Sequence, residues 1–305
     1  MTPSTPVLML LHGLGTNRAT WDRLVPLIER DWPENVGSGG GDPDVASGRT
    51  NRWICPDLIG HGAAPHLTPY GYSRYASAVA EGLATGTEVI VVGHSMGAMV
   101  GLALAAGDHG VRVRGVIGLS VKLAFDDGDR ARMAKLGAQP VRWFDSRREA
   151  IERYLAVSGL TGLVSADDPI AAAGVVTEHG RSRLAADPRV HLGVGASAGP
   201  FVQAMTAPLR LVAGGDDPMV SIADMRRFDP EALLLDGLGH NPHVQSPEQL
   251  WSVIGPLLAE MAGVPMAGDG LVASPASVAS PASVASPASV ASPPLVASPA
   301  GSAAR

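Results

Sequence analysis

Residues Gly93-His94-Ser95-Met96-Gly97 hold a hydroxyl between two glycines, directly after the apolar run 89–92 and before the small-residue stretch 98–106. A G-x-S-x-G pentapeptide between a buried strand and a helix is the setting in which a serine is lifted above a sheet edge as a nucleophile. Glycines 93 and 97 lack a Cβ, so the chain can turn sharply and the helix can pack close to the strand. A serine hydroxyl is a weak nucleophile at neutral pH. The chemistry therefore requires a base, an acid that orients the base, and donors for a developing oxyanion.

Each has a candidate. Leu235-Asp236-Gly237-Leu238-Gly239-His240 sets a histidine in a glycine-flanked loop, with His243 nearby as the alternative base. Gly214-Gly215-Asp216-Asp217-Pro218-Met219-Val220 sets two carboxylates after another apolar run. His12-Gly13-Leu14-Gly15 follows the first such run, so the backbone N–H groups of Leu14 and Met96 are the candidate oxyanion donors.

These loops need a scaffold that brings them to one edge. Apolar runs predict strands at 7–11, 53–55, 89–92, 113–119, 209–213 and 232–235. Helical spacing appears at 21–30, with Thr20 as N-cap, and at 73–83, 96–106 and 247–261. Strands alternating with helices imply a parallel sheet covered on both faces. From about 121 to 206 the alternation breaks into polar helical stretches (129–136 and 146–157) with no clear strand, so an insertion here is expected to sit as a lid above the strand ends. The expected domains are a core of residues 1–120 and 207–265, a helical lid insertion at 121–206, and a disordered tail at 266–305. In that tail SPASVA repeats three times, and prolines 275, 281, 287, 293 and 299 recur every sixth residue. Residues 35–50, rich in Gly, Asp and Ser, are expected to form a long loop.

The 305 residues, 46% hydrophobic, suffice for one large core. A net charge of −6 without a block of like charges argues against nucleic acid as a partner. One cysteine, Cys55, excludes an intrachain disulfide framework and suits a reducing compartment. The run 7–11 is too short for a signal-peptide core, and no apolar stretch approaches the ~20 residues that span a bilayer. The expectation is a cytoplasmic protein without a membrane partner.

Five motifs together, HGLG at 12–15, PDLIGHG at 56–62, GHSMG at 93–97, GGDDPMV at 214–220 and GHNPHVQSPEQ at 239–249, resemble a lid-bearing member of the α/β-hydrolase superfamily over roughly residues 7–264. The order Ser, Asp, His is that of the family. The resemblance implies an α/β-hydrolase fold with Ser95 as nucleophile, His240 as base and Asp217 as acid. Asp217 is preferred to Asp216 because the family's acid usually stands three residues before the valine. Only six residues precede the first strand, so the antiparallel pair of larger members is absent and six strands are expected. Ser221 and Gln245 stand where many relatives have proline and glutamate.

The implied activity is hydrolysis of a small-molecule carboxylic ester or lactone through an acyl-enzyme. Amidase, C–C hydrolase and cofactor-free perhydrolase chemistry use the same triad, and a ligand-binding receptor on this fold is the alternative from another class. Val220, Trp143 and Phe144 are the expected substrate-binding residues. For the aromatic pair, conspicuous in a chain only 4% aromatic, packing of the lid onto the core is the competing role. The basic residues at 122–153 read as a solvated face. His12, His94 and His61 read as structural, and histidines 66, 109, 179 and 191 share no metal-ligand spacing. Neither metal nor cofactor is expected.

Overall fold

The computed structural model describes residues 6–32 and 53–264. The loop expected at 35–50 and the tail expected from 266 lie outside the described residues.

Six strands form one sheet in the order β2-β1-β3-β4-β7-β8, and every pairing in it is parallel. In chain order, β1 (Val7–Leu11) is followed by α1 (Val25–Asp31), β2 (Trp53–Ile54), α2 (Tyr72–Ala80), β3 (Glu88–His94), α3 (Met96–Ala106) and β4 (Arg112–Leu119). The segment between β4 and β7 carries α4 (Asp127–Gly137), α5 (Arg147–Val157), α6 (Pro169–Ala173), the hairpin β5 (Val175–Glu178) and β6 (Arg181–Leu184), and α7 (Gly199–Ala204). The sheet then resumes with β7 (Leu209–Gly214), α8 (Ile222–Arg226) and β8 (Leu233–Leu235), and α9 (Pro242–Gln245) and α10 (Pro247–Ala262) close the series.

Apolar alternation along the strands builds two cores. Val7, Met9, Leu11, Val89 and Val91 face α2 and α3, where Tyr75, Val79, Met99 and Leu102 pack against them. Leu8, Leu10, Ile90, Val92 and Val212 face the other way, onto Trp21, Leu24 and Ile28 and onto Leu250, Ile254 and Leu258 of α10. Burial on both faces is why these strands read as unbroken apolar runs. α3 is apolar all round and buried from Met96 to Leu104. Gly101 lets it lie against β3, since a Cβ there would come within 2.8 Å of Val91.

Two local expectations need correction. Thr20 caps no helix: residues 18–21 form a 3-10 turn capped by the Asn17 side chain, which accepts from Ala19 N–H, and α1 starts four residues later. The longer amide side chain three residues upstream reaches the Ala19 N–H, and Pro26 then opens the α-helix. Nor is the 121–206 segment without strands. β5 and β6 pair antiparallel through His179-Gly180, both with positive φ, which is the two-residue turn that matches strand twist. Both strands alternate around polar residues, so their hydrophobic signal is weak.

The inserted segment supplies most of a third cluster, in which Phe144, Ile151, Tyr154, Leu155, Leu160 and Val175 are buried together with Ala19 and Val244. It is pinned to the core by polar contacts. Arg23 donates to the carbonyls of Leu163 and Val244 and to the Asp168 carboxylate, and Asn17 donates to the Tyr154 hydroxyl. No helix among the described residues is long and apolar enough to cross a membrane.

Candidate active site

β3 delivers Ser95. The strand ends at His94, α3 starts at Met96, and Ser95 between them has φ 49° and ψ −113°. A side chain pays for such a backbone only where its surroundings enforce it. Ser95 N–H donates to Leu119 O, tying the turn to the end of β4. The flanking glycines explain why no larger residue fits. A Cβ at Gly97 would lie 2.1 Å from Leu11 O, and one at Gly93 would lie 2.4 Å from Ala98 N. The elbow is thus clamped between β1 and its own helix.

The loop after β1 passes close by. A Cβ at Gly13 would stand 2.7 Å from His94 Nδ1 and 3.6 Å from Ser95 Cβ. Neither Leu14 nor Met96 N–H donates a backbone hydrogen bond among the described residues, so two main-chain donors flank the serine. His12 holds this loop from beneath. Its Nε2 accepts from Leu58 N–H at 2.9 Å, which puts the proton on Nδ1, 2.9 Å from Gly13 O. Burial pushes the His12 pKa down to about 4, so the ring is a neutral clamp.

The last two strands bring the acid and the base. His240 Nδ1 lies 2.8 Å from Asp217 Oδ2, and Asp217 is buried. Asp217 Oδ1 accepts from Met219 N–H at 2.9 Å. Burial works to raise the Asp217 pKa, but the His240 hydrogen bond and charge, with the Met219 N–H and the Ser120 hydroxyl, outweigh it and leave it below the usual carboxylate value. The ionised carboxylate accepts, so His240 carries its proton on Nδ1 and keeps its lone pair on Nε2. Asp216, by contrast, is exposed. The two loops meet without clearance: a Cβ at Gly214 would lie 2.1 Å from Leu238 O and 2.2 Å from Gly239 O. Gln245 laces the base loop, accepting from Gly239 N–H and donating to Gly237 O.

Ser95 and His240 are joined through His94. A carbonyl oxygen only accepts, so His94 Nε2–H donates to His240 O, at 2.8 Å, and the two rings lie 4.9 Å apart. No hydrogen bond links Ser95 directly to His240 among the described residues; apo sites often tighten such contacts only when substrate arrives. His243 makes no contact with a carboxylate. Its ring lies tilted against Trp21 and His94, neither nitrogen has a partner among the described residues, and burial drives its pKa to about 3. No group of His, Cys, Asp and Glu among the described residues has the arrangement to hold a metal ion.

The remaining expected residues fall in two places. Val220 packs against the same cluster as Leu14 and Met96. Phe144 is buried in the third cluster, bridged to Ser182 through their backbones, with the Arg142 guanidinium over its ring. Trp143 lies beneath the Arg183 guanidinium. The sequence reading passed over Ser120, which has no motif to mark it, and the reach of His94 to the base loop, which only the fold brings about.

Comparison with known proteins agrees with this fold. The sequence model of the alpha/beta hydrolase family matches residues 8–253. A pimeloyl-[acyl-carrier protein] methyl ester esterase of Neisseria meningitidis serogroup A is 33% identical over 97 residues, which is 32% of this chain and only about a quarter (24%) of the relative's length. The crystal structure of E-2-(acetamidomethylene)succinate hydrolase aligns with a TM-score of 0.62 at 24% identity, covering 82% of this chain and 90% of the other. The N-acyl homoserine lactonase AidH, complexed with N-butanoyl homoserine, aligns with a TM-score of 0.58 at 19% identity, covering 86% and 92%. At these identities the structural likeness speaks to the fold.

Proposed function

Since this chain belongs to the alpha/beta hydrolase family, we propose that it is a serine hydrolase that cleaves a carboxylic ester or lactone of a small molecule. The observation that carries this reading is the 2.8 Å Asp217–His240 contact, set across the sheet edge from a serine with φ 49° at the head of α3. His240 takes the Ser95 proton as Oγ attacks the carbonyl carbon. Asp217 holds the imidazole tautomer and offsets the imidazolium charge. The Leu14 and Met96 N–H groups receive the oxyanion, a contribution of about 3 kcal/mol per donor in enzymes of this type. The imidazolium then protonates the departing alkoxide, and water, deprotonated by His240, releases the acid from Ser95. Every step uses groups of the chain itself.

The segment between β4 and β7 serves as the lid. It leaves the sheet at the end of the strand that holds Ser95 N–H, and Asn241, next to the base, donates to the carbonyls of Ser158 and Gly159 within it. Closing it over the site places substrate against Val220, Leu14 and Met96. The working compartment is the cytoplasm, which suits a chain with one cysteine.

The test is hydrolysis of p-nitrophenyl esters of graded acyl length and of simple lactones by the wild type and by Ser95→Ala. Turnover should fall at least 10⁴-fold in the variant, with the melting temperature kept, and a fluorophosphonate should label the wild type alone. Full activity in Ser95→Ala would overturn the assignment.

A further inference from the structure

His94 is the last residue of β3, paired with Leu119 of β4 and followed at once by Ser95. Its imidazole is buried, and its Nε2–H reaches 146 residues along the chain to the backbone oxygen of His240, at 2.8 Å. The ring is wedged in place. A Cβ at Gly13 would stand 2.7 Å from Nδ1, so the loop after β1 closes on that edge, and the rings of His243 and His240 lie 4.5 and 4.9 Å away. With the proton on Nε2, Nδ1 holds a lone pair that finds no donor among the described residues. An unpaired buried nitrogen is costly. A phenylalanine would fill the same space without that cost, and what it could not supply is the donor to His240 O. Burial keeps the ring neutral, so the contact is a hydrogen bond between uncharged groups.

We propose that His94 is a positioning residue for the base: its Nε2–H ties the backbone of His240 directly to the strand that ends in the nucleophile. Asp217 holds the His240 ring at Nδ1, which fixes the ring's orientation but not the place of its backbone. The base loop follows β8, and β4 and β7 stand between that strand and β3 in the sheet. Through the strands alone, the spacing of serine and imidazole would depend on every pairing between them. The His94 bond bypasses those pairings and sets the spacing through one rigid side chain. The inference rests on the proposed Ser95–His240–Asp217 triad.

His94→Phe keeps a ring and removes the donor, whereas His94→Gln returns an amide N–H at about the reach of Nε2. Two esters of one acid, a p-nitrophenyl and a methyl ester, separate a displaced base from general damage. In acylation the imidazolium must protonate a departing methoxide, while p-nitrophenolate leaves without help. In His94→Phe, kcat/KM should fall about 10-fold on the p-nitrophenyl ester and about 100-fold on the methyl ester. The melting temperature should hold, since one unpaired nitrogen is exchanged for one unpaired carbonyl. His94→Gln should bring both values back to within about three-fold of the wild type. If His94→Phe does not fold, His94→Asn, whose amide is too short to reach His240 O, takes its place with the same expected losses. Wild-type kcat/KM in the donor-free variant, or an equal loss on both esters that His94→Gln does not restore, would overturn the proposal. Retained turnover in Ser95→Ala would instead sink the triad on which it rests.

Discussion

Gly214→Ala offers a sharp test of how the base is held, because it adds a single methyl group away from every reacting atom. The new Cβ would stand 2.1 Å from Leu238 O and 2.2 Å from Gly239 O. Ordinary contact begins near 3.4 Å, so the base loop must retreat by about 1.2 Å. It cannot rotate away freely, since Gln245 ties its Gly237 and Gly239 together and the Asp216 N–H bond to Leu238 O draws it toward Gly214. His240 follows Gly239 directly and moves with it. A misplacement of about 1 Å lowers turnover about 100-fold, equivalent to about 2.7 kcal/mol of transition-state stabilisation. The assay is steady-state kinetics on whichever p-nitrophenyl ester the wild type prefers, with KM expected within two-fold and the fold checked by thermal melting. Gly237→Ala is the control in the same loop. Its φ is 72°, but no atom lies within 4 Å of the added Cβ, so it should lose about 1 kcal/mol of stability and keep its kcat. Wild-type kcat in Gly214→Ala would refute the idea that the two loops meet at contact.

Other consequences follow from the same geometry. Asp217→Asn should keep the fold and lose 10³- to 10⁴-fold in kcat, because the amide stabilises the wrong imidazole tautomer; a loss under 10-fold would remove Asp217 from the proposed triad. Burial holds His12 near pH 4, His61 and His243 near 3 and His94 well below the usual value, so in the folded protein all four stay neutral where the unfolded chain takes up protons. Their contribution is present above pH ~6.5 and is lost as pH falls from there, toward about 4 for His12 and about 3 for His61 and His243, at up to ~1.4 kcal/mol per pH unit for each. Melting temperature should drop steeply between pH 6.5 and 4.5, and His243→Phe should flatten that slope by about a quarter; an unchanged slope would show that His243 is not held neutral. Arg23→Ala should cost about 1–2 kcal/mol and make residues 158–168 the first site of limited proteolysis, as the two hydrogen bonds that pin that stretch at Leu163 and Asp168 are removed.

Much of this architecture was legible because its signals are local. Residues 7–11 and 96–106 read as a strand and a helix with the observed bounds, since each is a short apolar run bounded by glycine or polar residues. The order of the glycine-flanked loops forecast which strand ends would meet, and the sheet has the six strands expected. The losses came where a side chain answers to distant partners. Asn17 outcompetes Thr20 as a cap because the chain makes a 3-10 turn first, which helical periodicity does not register. The β5–β6 hairpin hides in a polar stretch, and His179-Gly180 was its one available mark. For Phe144 the sequence left packing and substrate binding both open, and the structure buries its ring in one cluster with Tyr154. Ser120 gains its neighbour Val212 from β7, and His94 gains the base loop 146 residues further along the chain.

The order of strands across the sheet also sets the order in which competence is acquired. β2, β1, β3 and β4 are contiguous in space and come first in sequence, whereas β7 and β8 add to one edge after a long excursion. Parallel neighbours separated by so much chain form slowly. A half-assembled sheet would already display the serine on its sharp turn and lack both the carboxylate and the imidazole. On the proposed triad, such a half-built sheet would lack the partners that activate the serine. The return of turnover during refolding should then clock the docking of the β7–β8 edge, which stopped-flow fluorescence and activity recovery, compared on one sample, would check.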